Sequence, residues 1–488
     1  MPQNTSPEIR LSQKEEQRRT MILEGSIFKT LVYISLPLVF YNSLGQIFQL
    51  IDTWIAASLS ANVVSTVTFV SQIEKMLLAL CSGLSISGGV LIARTYGLGD
   101  MQKVKKQIST LFFIALFTGV FVLAVIIPLM YPLLRVFKMP EELLAQGTVY
   151  SSLVVLSVIF QFINTIYFSI QKSRGNTKSA MWGNLQVLCI KTFLNFLTLV
   201  LIKNNVLAKE HGIYCLPIAT ITAHASLTVV ALCSFSSSKN PFKISIKNCA
   251  FSSEFLGPLF TLGFPVFLEK FVFAFGKAVV NSLCAGFGPT VVGALGVSDR
   301  ICGLASNPPN GVQEAESSLI SNNLGNRNLK RALSFFYCSI LINMSYVLLV
   351  FFLTGIFKAA IIWAFAKGDL SFLQEIEKIY RWERLDTILI ALNISVMGLL
   401  YGFGKTKVSM CINIARLFVY RIPVLLLFMK TPAIFDALGT QAVGIAMLIS
   451  NSLTGITSGI ASFIIIKKLK ISVTHKPDKT KRGRKKIS

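Results

Sequence analysis

The stretch RGNTKSAMWGN at 174–184 returns later in the chain as FGKTKVSMCIN at 403–413. Gly175, Thr177, Lys178, Met181 and Asn184 fall on Gly404, Thr406, Lys407, Met410 and Asn413. Working outward from this match, the whole second half repeats the first. Pro37 falls on Pro265, Val63-Val64 on Val291-Val292, and, after a two-residue slip, Leu98-Gly99-Asp100 on Leu324-Gly325-Asn326. A repeat of this length made of apolar segments is the mark of a transporter built from two bundles around a central cavity.

The repeated units are membrane helices by composition. Apolar residues make up 53% of the chain and charged residues only 14%, against roughly 25% charged in a soluble domain. The apolar residues gather in twelve blocks, at 27–57, 62–93, 106–131, 147–171, 179–202, 212–235, 254–285, 291–321, 331–357, 380–402, 407–428 and 440–467. Each approaches the ~20 residues a helix needs to cross the hydrocarbon core. Backbone groups in lipid must be satisfied within the segment, and runs without strict alternation exclude a barrel. The chain is therefore expected to be an all-α membrane protein with twelve transmembrane helices in two pseudo-symmetric six-helix lobes. The lobes span 27–237 and 254–468, joined by a Ser- and Lys-rich linker at 238–253. Tails are expected at 1–26 and 469–488. No cleavable signal peptide is evident, and the first helix reads as its own anchor.

The net charge of +25 suggests nucleic acid until it is mapped. Loops after even-numbered blocks are basic, through Arg94, Lys103, Lys105 and Lys106, then Lys172, Arg174 and Lys178, then Lys239, Lys243 and Lys247, then Arg327, Lys330 and Arg331, then Lys405 and Lys407. Loops after odd-numbered blocks are near neutral, and 358–386 balances five bases with five acids. That alternation predicts a multi-pass plasma-membrane protein (inner membrane in a two-membrane envelope) with both termini in the cytoplasm. The tail KPDKTKRGRKKIS at 476–488 reads as a solvated run touching anionic lipid rather than nucleic acid. The nine cysteines are scattered, with no CxxC and no Cys/His cluster, which argues against a disulfide framework or a metal site. No P-loop, nucleophile elbow or HExxH is present. The chain is therefore read as no enzyme, with no cofactor.

Polar residues inside the blocks mark the candidate site. Asn42, Gln46, Gln49 and Thr53 share one face of the first helix, with Asp52 at its edge. A carboxylate at mid-membrane costs roughly 2.5–3.5 kcal/mol even on the lenient insertion scale. Asp52 thus faces another helix or a cavity, unless it sits at the outer helix end in interfacial water. Asn184, Lys191, Asn195 and Thr198 share a face of the fifth helix. Lys270, Lys277 and Asn281 share one of the seventh, with Glu269 a quarter-turn away. Glu74-Lys75 and Asp299-Arg300 read as internal pairs, Glu314 and Glu316 as interfacial, and Arg416 and Arg421 as braces at helix ends. Asp386 is placed near the outer end of the tenth helix, in the cavity or at the interface. Pro37 and Pro265 are candidate hinges, because proline removes a helical hydrogen bond and kinks the helix.

The segments ISLPLVFYNSLGQIFQLIDTWIAASL at 34–59, GLSISGGVLIARTYGLGD at 83–100, RGNTKSAMWGNLQVLCIKTFLN at 174–195, LGFPVFLEK at 262–270, SSLISNNLGNRNLKRA at 317–332 and GKTKVSMCINIARLFVYRIPVLLL at 404–427 resemble, in order and spacing, the multidrug and toxic compound extrusion family. The resemblance implies twelve helices in two lobes and export of cationic, amphipathic small molecules in exchange for sodium ions or protons. It matches Asp52 to a cation-coupling carboxylate, Asn195 to the fifth-helix Asn, and Glu269 to the seventh-helix Glu of one branch. Leu199 stands where the family often has a second acid. Lys191 is accordingly expected to pair with Asp52 and occupy the cation's place. Cation coupling is thus assigned to Asp52, Asn195, Lys191 and Glu269. The substrate cavity is assigned to Asn42, Gln46, Gln49, Asn184, Lys277, Asn281 and Asp386, with aromatic and apolar walls. The protein is expected to act as a monomer among membrane lipids. Two rival readings are a lipid-linked sugar flippase of the same superfamily, using Lys191 and Lys277, and a transport-inactive scaffold.

Overall fold

The structure, a computed structural model, describes residues 11–474 except 60, 137, 138, 140, 209, 210, 238, 239, 288, 289, 367 and 368. It is helical throughout, with no strand among the described residues. The N-terminal lobe comprises α2 (Ile27–Leu59), α3 (Ala61–Leu98), α4 (Met101–Val136), α5 (Glu141–Ser173), α6 (Thr177–Lys203) and α7 (Gly212–Ser236). The C-terminal lobe comprises α8 (Ser253–Ala285), α9 (Val291–Gly325), α10 (Leu329–Ile356), α12 (Leu370–Gly402), a broken span and α16 (Gln441–Thr474). The broken span runs through α13 (Thr406–Ala415), a π-helical turn at Arg416–Arg421 and α14 (Ile422–Lys430). Short helices α11 (Lys358–Ala366) and α15 (Pro432–Leu438) fill two loops. Among the described residues, eleven helices are long and apolar enough to cross a membrane. The twelfth span, α9, carries Asp299, Arg300, Glu314 and Glu316, and it survives because much of its length is buried in protein rather than lipid.

Three elements depart from the sequence reading. Residues 13–24, read as part of a tail, form helix α1 (Gln13–Glu24), which buries Glu15, Ile22 and Leu23. Helix α12 begins ten residues before its apolar block: Asp369 caps it by accepting from the amides of Ser371 and Phe372. Its first turns are charged, so hydropathy missed them. Residues 469–474 continue α16, while 1–10 and the basic tail from 475 lie outside the described residues. The linker, where described, packs on the N-terminal lobe. Phe242 is buried under the Arg174 guanidinium, 4.5 Å from the ring centre, and the Ala250 amide donates to Thr110 Oγ1 at 3.0 Å.

The repeat is closer in space than in sequence, because the two-residue slip disappears. A Cβ on Gly97 would lie 1.9 Å from the carbonyl oxygen of Asn322, and one on Gly325 would lie 1.9 Å from that of Arg94. Arg94 donates to the Gly402 carbonyl at 3.1 Å and Asn322 to the Ser173 carbonyl at 3.0 Å. Asp100 and Asn328 accept equivalent amide bonds from Lys103 and Arg331, at 2.9 and 3.0 Å. Gly99 and Arg327 both take positive φ, +94° and +57°. These contacts are reciprocal, as a two-fold relation between the lobes demands, and they pair Gly97 with Gly325 and Gly99 with Arg327. Nearer mid-span, Gly83 closes on the backbone of Gly263 and Gly311 on that of Val39. Each contact lies two residues from a buried proline, Pro265 or Pro37, and α2 and α8 both run through their prolines without a break.

Among the described residues, apolar packing across the seam is confined to one end, where α2 begins and α16 ends (the terminus face). There Leu31, Ile34 and Leu38 share a core with Leu319, Ile320 and Ile466, and Tyr96 and Phe235 share one with Phe255 and Leu259. At the opposite face the cores stay within a lobe: Ile55, Leu59, Tyr150 and Ile213 in one, Val280, Phe287, Val291 and Leu425 in the other. Among the described residues the lobes therefore share a core at the terminus face and none at the opposite one.

Candidate functional site

In the N-terminal lobe, α2 and α6 bring three of the expected residues together. Lys191 Nζ lies 2.7 Å from Asp52 Oδ2, and Asn195 Nδ2 donates to Oδ1 at 3.1 Å. Lys191 and Asn195 are one helical turn apart, so both reach the same carboxylate. The pair is only partly sealed, with side chains 28% and 27% exposed. Leu199 packs in the apolar core beside Ile55 and Leu59. That core leaves Asp52 without a neighbouring acid at this position.

Glu269 of α8 solves burial differently. It is 1% exposed and accepts from Tyr401 Oη at 2.6 Å, Ser409 Oγ at 2.5 Å and Asn413 Nδ2 at 2.9 Å. Lys270 Nζ adds an ion pair at 3.4 Å. Three neutral donors from α12 and α13 thus converge on one carboxylate, the arrangement that offsets desolvation of a buried charge.

Between the lobes lies a cavity of about 650 Å³. Gln46 and Gln49 of α2 and Lys75 of α3 line one side; the rest of the lining belongs to the C-terminal lobe and includes Glu269, Lys277, Asp299, Arg300, Glu383 and Asp386. Among the described residues its aromatic lining is limited to Phe273 and Tyr401. The apolar, aromatic wall expected from the abundance of Phe is therefore replaced by a charged one. Much of the Phe points outward instead, as at Phe117, Phe121, Phe193 and Phe260. A second cavity of about 470 Å³ shares Lys270, Asn310, Gln313 and Tyr401 with the first and continues between the lobes past Ser85, Ser169 and Ser318.

Asp386 is not at a helix end. It is 0% exposed because α12 starts early, which puts this residue in mid-helix. Its Oδ2 accepts from Asn451 Nδ2 at 2.7 Å, and Oδ1 has no partner. The same Asn451 offers its Oδ1 to Arg416 Nε at 2.8 Å and to Arg421 Nη2 at 2.7 Å, while Arg421 Nε donates to Ser450 Oγ at 2.9 Å. The two arginines therefore line the cavity rather than brace helix ends. Glu383 accepts from Ser298 Oγ.

Other expected pairings are also redistributed. Asp299 meets Lys277 at 3.6 Å rather than Arg300. Glu74 accepts from Gln161 Nε2 at 2.8 Å rather than pairing with Lys75. Glu316 is buried on Ser339, and Glu314 pairs with Lys172 across the seam at 2.8 Å, so neither is simply interfacial. Of the residues assigned to the cavity, Gln46, Gln49, Lys277 and Asp386 line it; Asn42, Asn184 and Asn281 do not. Asn184 turns onto its own helix, donating to the Ala180 carbonyl at 2.9 Å. Sequence reading missed Tyr401, Glu383 and Asn451. Glu383 and Asp386 stand three residues apart, about one helical turn, a signal that counting 358–386 as a loop concealed.

Two repeated lobes, closed on each other at one end and enclosing a charged intramembrane cavity, define a membrane-transporter architecture. The MatE family model matches residues 37–197 and 265–427, one match in each lobe, and the chain belongs to this family of transporters. It is 21% identical over 279 residues to the multidrug export protein MepA of Staphylococcus aureus (strain bovine RF122 / ET3-1), covering 57% of this chain and 60% of that protein. It is 24% identical over 323 residues to the probable multidrug resistance protein YpnP of Bacillus subtilis (strain 168), covering 63% and 67%. The chain thus spans about three fifths of the length of MepA. In fold it is similar to a multidrug resistance MATE family transporter of the MOP superfamily in an outward-facing conformation, with TM-score 0.84, 18% identity and coverage of 96% of this chain and 100% of that one.

Proposed function

We propose that this chain is a secondary active exporter of amphipathic small molecules, working by alternating access and driven by a sodium or proton gradient. The observation that carries the reading is the charged cavity of about 650 Å³ between two lobes whose described residues share an apolar core at one face only. With the basic loops cytoplasmic, that closed face is the inner one, and the conformation described is open outward. The exporter then resides in the plasma membrane as a monomer, with both termini inside and the basic tail near anionic lipid.

The coupling step assigned to the N-terminal lobe is exchange at Asp52. A proton or sodium ion arriving there displaces the Lys191 ammonium, and the ion shifts the lobes only as far as its affinity differs between the two states. Glu269, sealed by three donors, is the alternative coupling site in the other lobe. A cationic centre on the substrate meets Glu383 and Asp386. The flippase reading relied on cavity lysines for a pyrophosphate. Lys191 and Lys277 each lie on a carboxylate in different lobes, which leaves that reading without support.

Reconstituted protein with sodium and pH gradients imposed separately tests the proposal. Ethidium, a cationic dye, is expected to move against its gradient under one of the two, and the Asp52→Asn variant is expected to lose the gradient dependence. Dye movement that ignores both gradients in the native protein would overturn the exporter reading.

A further inference from the structure

The π-helical turn at Arg416–Arg421 has no use in the mechanism so far. Such turns close i→i+5 and are rare, and they often mark functional sites. Five residues of ordinary α-helix would separate Arg416 from Arg421 by about 140° around the axis, at roughly 100° per residue. In the π-turn the same two residues come to one side. Both guanidinium groups meet at a single oxygen, Oδ1 of Asn451, at 2.8 and 2.7 Å.

We propose that Arg416 and Arg421 together form a receptor for an oxyanion, a carboxylate or phosphate carried by the transported molecule. Two like charges converge here, and among the described residues neither is in an ion pair within 4.0 Å. Their acceptors are the neutral oxygens of Asn451 and Ser450. Asp386 is held at one remove, on the far side of Asn451. A guanidinium carries five N–H donors. The bonds to Asn451 and Ser450 use one from Arg416 and two from Arg421, and none of the remaining donors is buried without a partner. They face the cavity, whose wall both residues form. Arg421 is 4% exposed, so its position is built rather than accidental. The Arg416 guanidinium lies 5.5 Å from the centre of the Phe273 ring, within reach of its face. Paired planar forks suit bidentate recognition of carboxylate or phosphate.

The anion site and the acids Glu383 and Asp386 lie in the same cavity, so the substrate class that satisfies both is a small zwitterion. The inference rests on the transport reading only in making the anion part of a cargo. Binding itself needs no gradient, so the two stand or fall separately. A protein that binds oxyanion but moves no dye sinks the exporter alone; one that moves dye but binds no oxyanion sinks this site alone.

The test is calorimetric titration of the full chain in phosphatidylcholine nanodiscs with succinate and with inorganic phosphate. Saturable binding is expected for at least one. Arg416→Gln and Arg421→Gln should each weaken it by about ten- to a hundredfold, the loss of one charged hydrogen-bonding partner. Arg416→Lys, which keeps the charge and loses the fork, should fall between. Since Arg421→Gln risks misfolding, the half-buried Arg416 variants carry the decision, with elution profile and thermal transition as controls. Absence of binding at millimolar succinate and phosphate, or unchanged affinity in Arg416→Gln, overturns the site. Adding phosphatidylglycerol distinguishes the source: undiminished binding supports a soluble cargo, and abolished binding replaces it with a lipid headgroup.

Discussion

Asp52 and Glu269 are both carboxylates in mid-helix, yet the lobes hold them by opposite means. The first lobe gives Asp52 one cation and one amide and leaves it partly open. The second gives Glu269 three neutral donors, with the Lys270 ammonium farther off at 3.4 Å, and closes over it. The contrast traces to residues where the repeat fails. Tyr41 stands at the position equivalent to Glu269, Tyr420 at that of Lys191, and Val280 at that of Asp52. The matched asparagines show the consequence most directly. Asn413 donates to Glu269, whereas Asn184, with no acid to meet, donates to its own helix. Where the halves agree, at Gly97 and Gly325, they build the seam; where they disagree, they build chemistry.

The largest effect is expected at Glu269→Ala. Three buried donors lose their acceptor, and at about 1–3 kcal/mol for each unsatisfied group the folded state should lose at least roughly 3 kcal/mol. Thermal unfolding of the purified protein measures this, and a loss under about 1 kcal/mol would break the contrast. Next come Gly97→Val and Gly325→Val, which overpack the seam. Each should destabilise the terminus-face-closed state by roughly 1–3 kcal/mol, and by similar amounts, read as increased labelling of a cysteine introduced at Ser85 in the second cavity. Unequal effects would show that the seam is not two-fold.

Asp52→Asn strands the Lys191 ammonium and should cost about 1–2 kcal/mol, because the site is partly open to water and the cost of an unpaired charge is moderated there. Adding Lys191→Met should recover part of the loss in a double-mutant cycle; no recovery would mean the two charges do not interact. Smallest is the asparagine pair. Asn413→Ala should cost about 1 kcal/mol or more and Asn184→Ala less than about 0.5 kcal/mol. Equal losses would erase the asymmetry between the lobes.

The spans were legible because lipid imposes a length and, in all but the charge-bearing α9, a marked apolarity. Helix α1 was not, since it is polar along most of its length and gains its burial from partners on α3, α9 and the turn after α5. The Asp52–Lys191–Asn195 cluster could be anticipated from helical spacing and charge alone. Glu269's partners could not, because Tyr401 and Ser409 are distant in sequence and only packing brings α12 and α13 to α8. The π-turn left no trace in the pattern of apolar residues. A six-residue stretch with a changed helical pitch alters which side its arginines face without altering hydropathy, and the place of Arg416 and Arg421 in the cavity wall was hidden for that reason.

Helix α1 has no counterpart in the second repeat, and it touches both lobes. Glu15 is bound by Arg174, and Arg19 donates to the carbonyls of Tyr96 and Gly97, all on the N-terminal lobe. The carbonyl of Ile22 receives Asn323 and Arg331 from the C-terminal lobe. Any motion that parts the lobes at this face must first release one set or the other. A dozen residues ahead of the first span thus tie the two lobes to each other at this face.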